Sequence, residues 1–386
     1  MSRTVIAILL LALVLVAGAI VLLTLPKTTT KPETTVTATA TTTVTTTVTT
    51  GPSETKPAKK VSLLGSGATF PYPQIAAWID DFTKKHPDIS INYNPTGSGT
   101  GQEQFFTKVV DFAASDPPIS KAKWEEWKGK FVQMPFVIGA VVMTYNLPEA
   151  KGLLKLDAET IALIYKGEIQ YWNDERIRKL NPEINLPNKR IIAVHRSDSS
   201  GTTDVFTNFL HKAAPNVWPK ELVGKSIEWP VDKLGNGVGG KGNQGVAEVL
   251  RTTEGSIGYV ELNYAVELNM PTALIKNREG YFVMANETTI MEAARGALAR
   301  LPSSPDGDFS GDLDAILYAP GKLSYPIASF SHLLFYTSYP EDKVAAIKEF
   351  IKYVNTEGQE KVIRGYIPIP KEVRELNLKA LDIIKP

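Results

Sequence analysis

Three segments of this chain place glycine, serine and threonine at points where helices are predicted to begin. They lie at residues 65–70, 96–101 and 198–203, and each precedes an apolar pattern of helical period. The first turn of a helix leaves N–H groups without intrahelical partners, and the macrodipole makes that end partially positive. Such helix ends bind small oxyanions such as phosphate or sulfate. The three segments together therefore indicate an oxyanion site.

Helix capping is the alternative for each segment taken alone. Serine, threonine and aspartate are the preferred N-cap residues, and glycine is common in turns. Spacing alone favours capping over ligand binding at any single segment. Three segments of one composition favour a shared site, because strand-to-helix loops of an open α/β sheet lie at one edge, where ligands bind.

Three charged residues accompany these segments: Asp116, Arg196 and Asp198. A carboxylate beside an anion is repulsive unless the ligand carries a proton that the carboxylate can accept. Hydrogenphosphate carries such a proton and sulfate does not, so an aspartate at the site would discriminate between them. Arginine presents a planar fork of donors that matches an oxyanion. Spacing alone still favours ordinary helix caps for both aspartates and a surface ion pair for Arg196.

The elements that must position these residues alternate between strand and helix from residue 61 to the C-terminus. This alternation predicts an α/β protein with mainly parallel sheets. The run at 136–145 is almost continuously apolar, which is typical of a strand buried on both faces. Further strands are predicted at 61–64, 89–93 and 190–194, and helices are predicted after Pro71 and at 343–354.

The N-terminal region predicts a membrane tether. Residues 5–25 carry no charge and are long enough to span a bilayer, and we favour an uncleaved anchor at 1–27 over a signal peptide. Residues 28–60 are dominated by threonine and cannot bury enough apolar surface to fold, so they predict a disordered stalk. The remaining chain would then lie outside the cell, held at a distance from the membrane.

Composition excludes several classes of site. The chain has no cysteine, which excludes disulfides, thiolate metal sites and a lipid-modified N-terminal cysteine. Its four histidines show no metal-ligand spacing, so no metal and no other cofactor is expected. A formal net charge of +1 gives no general attraction to nucleic acid. A secreted phosphatase would require Asp/His clusters that the sequence lacks, so we expect a binding protein and not an enzyme.

Several stretches together resemble the Pst-type phosphate-binding proteins of ABC phosphate importers. They occur in the family's order along almost the whole chain after residue 60, and the residues after 366 match more weakly. The stretches are GSGATFP at 65–71, GSG at 97–99, VDFAASD at 110–116, RSDSSGT at 196–202, GKGNQG at 240–245 and GSIGYVE at 255–261.

The resemblance implies a periplasmic-binding-protein fold of type II. It consists of two α/β lobes joined by two crossover strands, which close on the ligand. We expect lobe 1 to comprise residues 61–135 and 321–386, and lobe 2 to comprise residues 136–320. The threonine-rich stalk on an apolar anchor departs from the bacterial pattern of this family and looks archaeal.

The resemblance also implies which residues bind phosphate. The first loop would contribute backbone groups, the second a serine hydroxyl, Asp116 the proton acceptor, and the third loop the remaining ligands. Carried onto this sequence, the set is Thr69, Phe70, Ser98, Asp116, Arg196, Asp198, Ser200, Gly201 and Thr202. Ala113 and the pair Gly99-Thr100 depart from the family's usual residues, which affects the expected backbone geometry of the second loop.

The function implied by the resemblance is capture of inorganic phosphate outside the cell and its delivery to the permease subunits of an ABC importer. The protein is expected to act as a monomer. A binding protein for another oxyanion, sulfate or molybdate, is the main alternative, and a secreted phosphatase-like protein or a phosphate sensor without transport are others. Asp116 and Asp198 discriminate among the anions, because sites for fully ionised anions should avoid such carboxylates.

Overall fold

The computed structural model describes residues 60–386. The predicted anchor at 1–27 and the predicted stalk up to residue 59 lie outside the described residues. No helix in the part that the structure describes has both the length and the apolar character needed to cross a membrane.

The described chain alternates between strands and helices, as the sequence predicts. The strands are β1 Val61–Gly67, β2 Ile89–Asn94, β3 Phe112–Ser115, β4 Phe131–Tyr145, β5 Lys155–Leu156, β6 Ile192–Arg196, β7 Gly237–Gly240, β8 Ser256–Glu261, β9 Leu274–Lys276, β10 Phe282–Val283, β11 Ala328–Tyr336 and β12 Ile367–Pro368. The helices are α1 Tyr72–Lys85, α2 Ser98–Phe106, α3 Lys121–Trp127, α4 Ala158–Lys166, α5 Glu175–Leu180, α6 Gly201–Ala213, α7 Gly242–Thr252, α8 Leu262–Glu267, α9 Glu287–Leu298, α10 Asp312–Ile316, α11 Glu341–Asn355, α12 Lys371–Leu378 and α13 Ala380–Ile383.

Nine strands form the main sheet, in the order β2-β1-β3-β11-β4-β8-β6-β7, with β12 pairing with β4. The smaller sheet has the order β10-β9-β5. In the main sheet β1 is parallel to β2 and β3, and β6 is parallel to β7 and β8. The prediction of mainly parallel sheets is therefore right for the two flanks and wrong for the centre. There β11 pairs antiparallel with β3 and β4, and β4 pairs antiparallel with β8 and β12.

The long strands β4 and β11 account for this difference. All fifteen residues of β4 are buried, which confirms and extends the strand predicted at 136–145. β11 runs beside β4 over its whole length, with a register shift between Ser331 and His332. Neither strand is connected to its partner by a short strand–helix–strand unit, and only such units force parallel pairing. The alternation of strands and helices correctly predicts the parallel pairs of the flanks because strand–helix–strand units do occur there.

Helix α1 illustrates how local sequence sets an element. Pro71 precedes the helix and a proline follows at its start, where a missing N–H costs little. Ile75, Trp78 and Phe82 recur at helical spacing and are buried against the sheet, so the predicted helix is confirmed. The carboxyl end of β1 therefore turns directly into a helix N-terminus at residues 68–71.

Candidate functional site

The first loop follows β1 and is held by tyrosine hydroxyls. Gly67 has a φ of +133°, a conformation that side-chain-bearing residues rarely adopt, and a Cβ there would lie 2.1 Å from the Ala114 carbonyl oxygen. The carbonyls of residues 68, 69 and 70 accept hydrogen bonds from Tyr93 (2.9 Å), Tyr264 (2.6 Å) and Tyr366 (2.6 Å). Because each peptide unit is planar, fixing these carbonyls also fixes the directions in which the N–H groups of the loop point.

The second loop starts α2 at Ser98. Gly97 has a φ of +94° and occupies the N-cap position without a side-chain cap. Ser98 is fully buried, and its hydroxyl contacts the Asp116 carboxylate at 3.2 Å. The departure from the family pattern at Gly99 and Thr100 leaves the helix start intact, because α2 begins at Ser98 and includes both residues.

The third loop leads from β6 into α6. Ser200 is the N-cap residue of α6, and its side chain accepts a hydrogen bond from the Thr203 N–H. The capping interpretation is thus correct for Ser200. It is wrong for Asp198, which bonds elsewhere, and for Asp116, because the next helix starts at Lys121 with Ser120 as its cap.

Direct contacts show that the three loops converge. The Gly99 N–H donates to the Ser199 carbonyl at 3.1 Å, which joins the second loop to the third. A Cβ at Gly201 would lie 2.2 Å from the Ser98 hydroxyl oxygen and 2.5 Å from an Asp116 carboxylate oxygen. Only glycine fits at position 201, so the start of α6 lies directly against Ser98 and Asp116.

Lys225 makes two further contacts, one with helix α2 and one with the third loop. The ammonium group of Lys225 donates to the side-chain carbonyl of Gln102 on α2 at 2.6 Å. The backbone carbonyl of Lys225 accepts from the Ser200 N–H at 2.8 Å. Burial lowers the pKa of Lys225, and the charge of Asp204 partly opposes this effect.

Asp116 is a buried carboxylate held by hydroxyl groups. Ser98 and Ser331 contact its two oxygens at 3.2 and 3.1 Å. Burial raises the pKa of Asp116 to about 7, against the lowering effects of these hydroxyls, of the Arg196 charge and of His332. The group is therefore poised to hold or accept a proton near neutral pH.

Arg196 and Asp198 form a buried ion pair at the end of β6. The Arg196 Nε and Nη2 atoms donate to the two Asp198 oxygens at 2.7 and 2.5 Å, a bidentate geometry. The Gly242 N–H adds a third hydrogen bond to Asp198 at 3.0 Å. Burial alone would raise the pKa of Asp198, but the guanidinium and this N–H together keep the pKa below its ordinary value. Asp198 is thus an orienting partner of Arg196.

Several N–H groups at this convergence have no protein acceptor. Within residues 60–386 this is true of the backbone N–H groups of Phe70, Ser98, Gly201 and Thr202. The first turns of α2 and α6 add the positive ends of two helices. The arrangement presents N–H and O–H donors and a guanidinium, which suits a compact oxyanion.

All nine residues that the family resemblance assigns to the ligand lie at ends of elements that meet here. Thr69 and Phe70 follow β1, Asp116 follows β3, and Ser98 opens α2. The other five, Arg196, Asp198, Ser200, Gly201 and Thr202, span the end of β6 and the start of α6. Their contact with a ligand stays a prediction.

Sequence reasoning missed three residues that complete the arrangement. Ser331 reaches Asp116 from β11, and the Tyr259 hydroxyl oxygen accepts a hydrogen bond from the Arg196 backbone N–H at 3.0 Å. The side-chain amide of Asn243 donates to the hydroxyls of Thr69 and Thr202, both at 3.0 Å. Two of them lie in stretches that carry the family resemblance. For Ser331, the sequence feature that could have indicated a role is a serine within an otherwise largely apolar strand, where a buried hydroxyl needs a hydrogen-bond partner.

In the part of the chain that the structure describes, no group of three or more His, Asp or Glu side chains could hold a metal ion.

Comparison with known proteins agrees with the geometry. A family model described as a PBP superfamily domain matches residues 30–357. The chain is 41% identical over 347 residues to the phosphate-binding protein PstS of Methanocaldococcus jannaschii, covering 86% of this chain and 89% of the relative. It is 38% identical over 321 residues to the phosphate-binding protein PstS of Haemophilus influenzae, covering 82% and 91%.

Solved structures share the fold. A high-affinity periplasmic phosphate-binding protein with bound phosphate superposes with a TM-score of 0.65 at 22% identity, covering 83% of this chain and 93% of that one. A putative phosphate ABC transporter substrate-binding protein with bound phosphate from Clostridium perfringens gives 0.57 at 18% identity, covering 80% and 100%. The fold is that of type II periplasmic-binding proteins, and the extent of identity to the curated relatives shows that the chain belongs to the PstS family of phosphate-binding proteins.

Proposed function

We propose that this chain binds inorganic phosphate and delivers it to the permease subunits of an ABC phosphate importer. The observation that carries the choice of phosphate is Asp116, a buried carboxylate set among hydrogen-bond donors. A fully ionised anion would meet this acceptor as a repulsive and unpaired group, whereas a protonated phosphate oxygen can donate to it. Both curated relatives described above are phosphate-binding proteins by name.

The donors for the remaining phosphate oxygens come from all three loops. We assign to the ligand the backbone groups of Thr69 and Phe70, the Ser98 hydroxyl and the Arg196 guanidinium. The third loop contributes through Ser200, Gly201 and Thr202. Asp198 acts by orienting Arg196, since both of its oxygens already accept hydrogen bonds from the guanidinium. The binding role needs no bond-breaking group, and we propose no catalytic step.

Closure of two lobes would bury the ligand. We place lobe 1 at 61–135 with 321–386 and lobe 2 at 136–320. The contact between Gly99 and Ser199 and that between Gln102 and Lys225 both join these two portions of the chain. A closed arrangement of this kind removes the bound anion from water and strengthens every hydrogen bond to it.

We further propose that the protein acts outside the cell as a tethered monomer. The support is the uncharged run at residues 5–25 followed by the threonine-rich segment, a combination that also suggests an archaeal source. Proteinase treatment of intact cells, followed by detection of the membrane-bound N-terminal fragment, tests the tether. Release of the whole chain into the medium without proteinase would contradict it.

Equilibrium dialysis of the full chain with radiolabelled inorganic phosphate tests the binding function. We expect saturable binding of one phosphate per chain, with unlabelled phosphate competing and equimolar sulfate or molybdate having little effect. Displacement by sulfate as effective as displacement by phosphate would favour a general oxyanion-binding protein. Absence of binding would reject the proposal.

A further inference from the structure

Two threonine hydroxyls at the convergence of the loops already accept two hydrogen bonds each. Thr69 Oγ1 accepts from the backbone N–H and from the side-chain amide of Asn243, at 3.2 and 3.0 Å. Thr202 Oγ1 accepts from the same side-chain amide at 3.0 Å and from Arg196 Nη1 at 3.2 Å. A hydroxyl has two acceptor lone pairs and one proton to donate. Both lone pairs of each oxygen are thus used.

The protons of these two hydroxyls remain to be donated. Within residues 60–386 neither Thr69 Oγ1 nor Thr202 Oγ1 donates to any protein acceptor. Both side chains are buried, at 6% and 0% exposure, so neither proton can turn freely to bulk water. Each O–H is consequently directed to whatever acceptor the site contains.

The orientation of the Asn243 amide is not open to a flip. Its Oδ1 atom accepts a hydrogen bond from the Glu261 backbone N–H at 2.9 Å, and a backbone N–H can only donate. The amide nitrogen must therefore face the threonines, where its two hydrogens serve one hydroxyl each. Asn243 is fully buried, so water does not compete for these bonds.

We propose that Asn243 is a specificity-determining positioning residue that fixes the hydroxyls of Thr69 and Thr202 as donors to the bound anion. The inference rests on the proposed function and deepens it. With both hydroxyls unable to accept, the oxygens facing them must be unprotonated, and Asp116 is left as the acceptor for one ligand proton. The site is thereby matched to a phosphate carrying a single proton, and a second proton would face a donor.

Asn243→Ala separates this role from a purely structural one. Without the amide, each hydroxyl regains a free lone pair and can rotate to accept from a protonated phosphate oxygen. At about pH 8.5, where the ligand is the dianion, we expect affinity for phosphate to fall about tenfold or more. At about pH 5.5, where the monoanion dominates, we expect the loss to be only about two- to threefold. Titration calorimetry of the full chain measures both values.

The comparison is made as a ratio of variant to wild-type dissociation constants at each pH. The titratable and charged groups around Asn243 are Asp116, Asp198, Glu261, Arg196 and Tyr264, and all of them are retained in the variant. The titration of these groups therefore affects the dissociation constants of both proteins alike and largely cancels in the ratio. A purely structural effect would lower affinity by the same factor at both pH values, and that result would overturn the inference.

A double-mutant cycle tests whether Asn243 acts through the threonines. In the Thr69→Val/Thr202→Val background, Asn243→Ala should cause no further loss of affinity at the higher pH. Full additivity would contradict the inference. Asn181→Ala is the matched control, since Asn181 is equally buried and makes three hydrogen bonds far from the site, and it should leave binding unchanged.

Two safeguards keep the outcomes distinct. Asn243→Ser, whose short side chain cannot reach both hydroxyls, serves as a second variant if the alanine variant unfolds, and the same pH dependence is expected. Failure of the wild-type chain to bind phosphate at either pH would reject the proposed function itself. Wild-type binding with an equal loss in the variants at both pH values would reject only the role of Asn243.

Discussion

Two aspartates lie at the candidate site, and their surroundings shift their pKa values in opposite directions. Asp116 is held by two serine hydroxyls, and burial raises its pKa to about 7. Asp198 forms a bidentate pair with Arg196 and accepts a further N–H, and its pKa lies below the ordinary value. The same side chain is thus a proton acceptor in one place and a fixed countercharge in the other.

The difference shows how the site can bind an anion while containing two carboxylates. The negative charge of Asp198 is compensated by the bidentate pair with Arg196, so this carboxylate would repel an anionic ligand only weakly. Within residues 60–386 the hydrogen-bond partners of the Asp116 carboxylate are hydroxyls and not cations, so this carboxylate is compatible with a neighbouring anion only when a proton lies between the two. In the proposed site, neutral donors from the loops and helix N-termini would supply the remaining interactions with the anion.

Removing Arg196 should have the largest effect on this contrast. Arg196→Ala deletes the guanidinium and leaves Asp198 buried without its cation. Truncating one partner of a buried charged pair costs about 2–5 kcal/mol, so we expect phosphate affinity to fall by about thirtyfold or more in titration calorimetry. Arg251→Ala is a suitable control, because its pair with Glu248 is solvent-exposed. A variant that binds as tightly as wild type would show that Arg196 is purely structural.

Asp116→Asn should change selectivity more than affinity. The amide retains the shape of the carboxylate but offers N–H donors, which suit a sulfate oxygen. We expect the ratio of sulfate to phosphate dissociation constants to narrow by about ten- to a hundredfold. Competition binding with both anions measures this ratio. Asp174→Asn, at the cap of α5, controls for loss of a carboxylate elsewhere, and an unaltered ratio in Asp116→Asn would remove that residue from anion discrimination.

The raised pKa of Asp116 also predicts how stability depends on pH. In the ligand-free protein the folded state holds this proton up to about pH 7, whereas an unfolded aspartate releases it near its ordinary pKa of 3.8. The folded state therefore binds more protons between these values, and this group makes stability fall as pH rises through them. Allowing for relaxation around the site, we expect an effect on the order of 1–2 kcal/mol.

Denaturant unfolding of wild type and Asp116→Asn from about pH 4 to pH 8 checks this sign. The variant lacks the titrating carboxyl group, so its free energy of unfolding should not show the decrease with pH that this group causes in wild type. The stability of the variant should therefore rise relative to that of wild type up to about pH 7, and the two curves should run parallel above that pH. Parallel curves across the whole range would mean that Asp116 has an ordinary pKa in the folded protein.

Asp198→Asn should have the smallest effect. The amide can keep one hydrogen bond to Arg196, and the guanidinium stays in place with its Thr202 contact. Because the guanidinium that faces the anion is retained, we expect phosphate affinity to change by less than about tenfold, and the preference for phosphate over sulfate to persist. If Asp198→Asn lost the preference for phosphate over sulfate, then Asp198 and not Asp116 would be the carboxylate that discriminates between the two anions.

The sequence predicts the flanks of the sheet and the three loops because these depend on local patterns, whereas the set of ligand residues follows from the family resemblance and stays a prediction. Glycine and hydroxyl residues between a strand and a helix specify the loops, and alternating elements specify parallel pairs. The antiparallel centre depends on how β4 and β11 pair over a separation of about 190 residues, which no local pattern encodes.

Asn243 and Ser331 were missed for the same reason. Asn243 lies in a glycine-rich stretch whose pattern resembles a loop or a helix start, and its role depends on contacts with Thr69, far away in the chain. Ser331 reaches Asp116 beside a register shift in β11. The capping interpretation of the two aspartates failed because local spacing cannot show that Arg196 and two serines compete for them.

A crystal structure of the chain with phosphate bound, at a resolution that shows ligand hydrogens, tests the account most directly. We predict that one Asp116 oxygen lies about 2.5–2.7 Å from a protonated phosphate oxygen, while Asp198 contacts Arg196 and not the ligand. A phosphate whose protonated oxygen faces Asp198, or lies beyond hydrogen-bond distance of Asp116, would contradict the central claim.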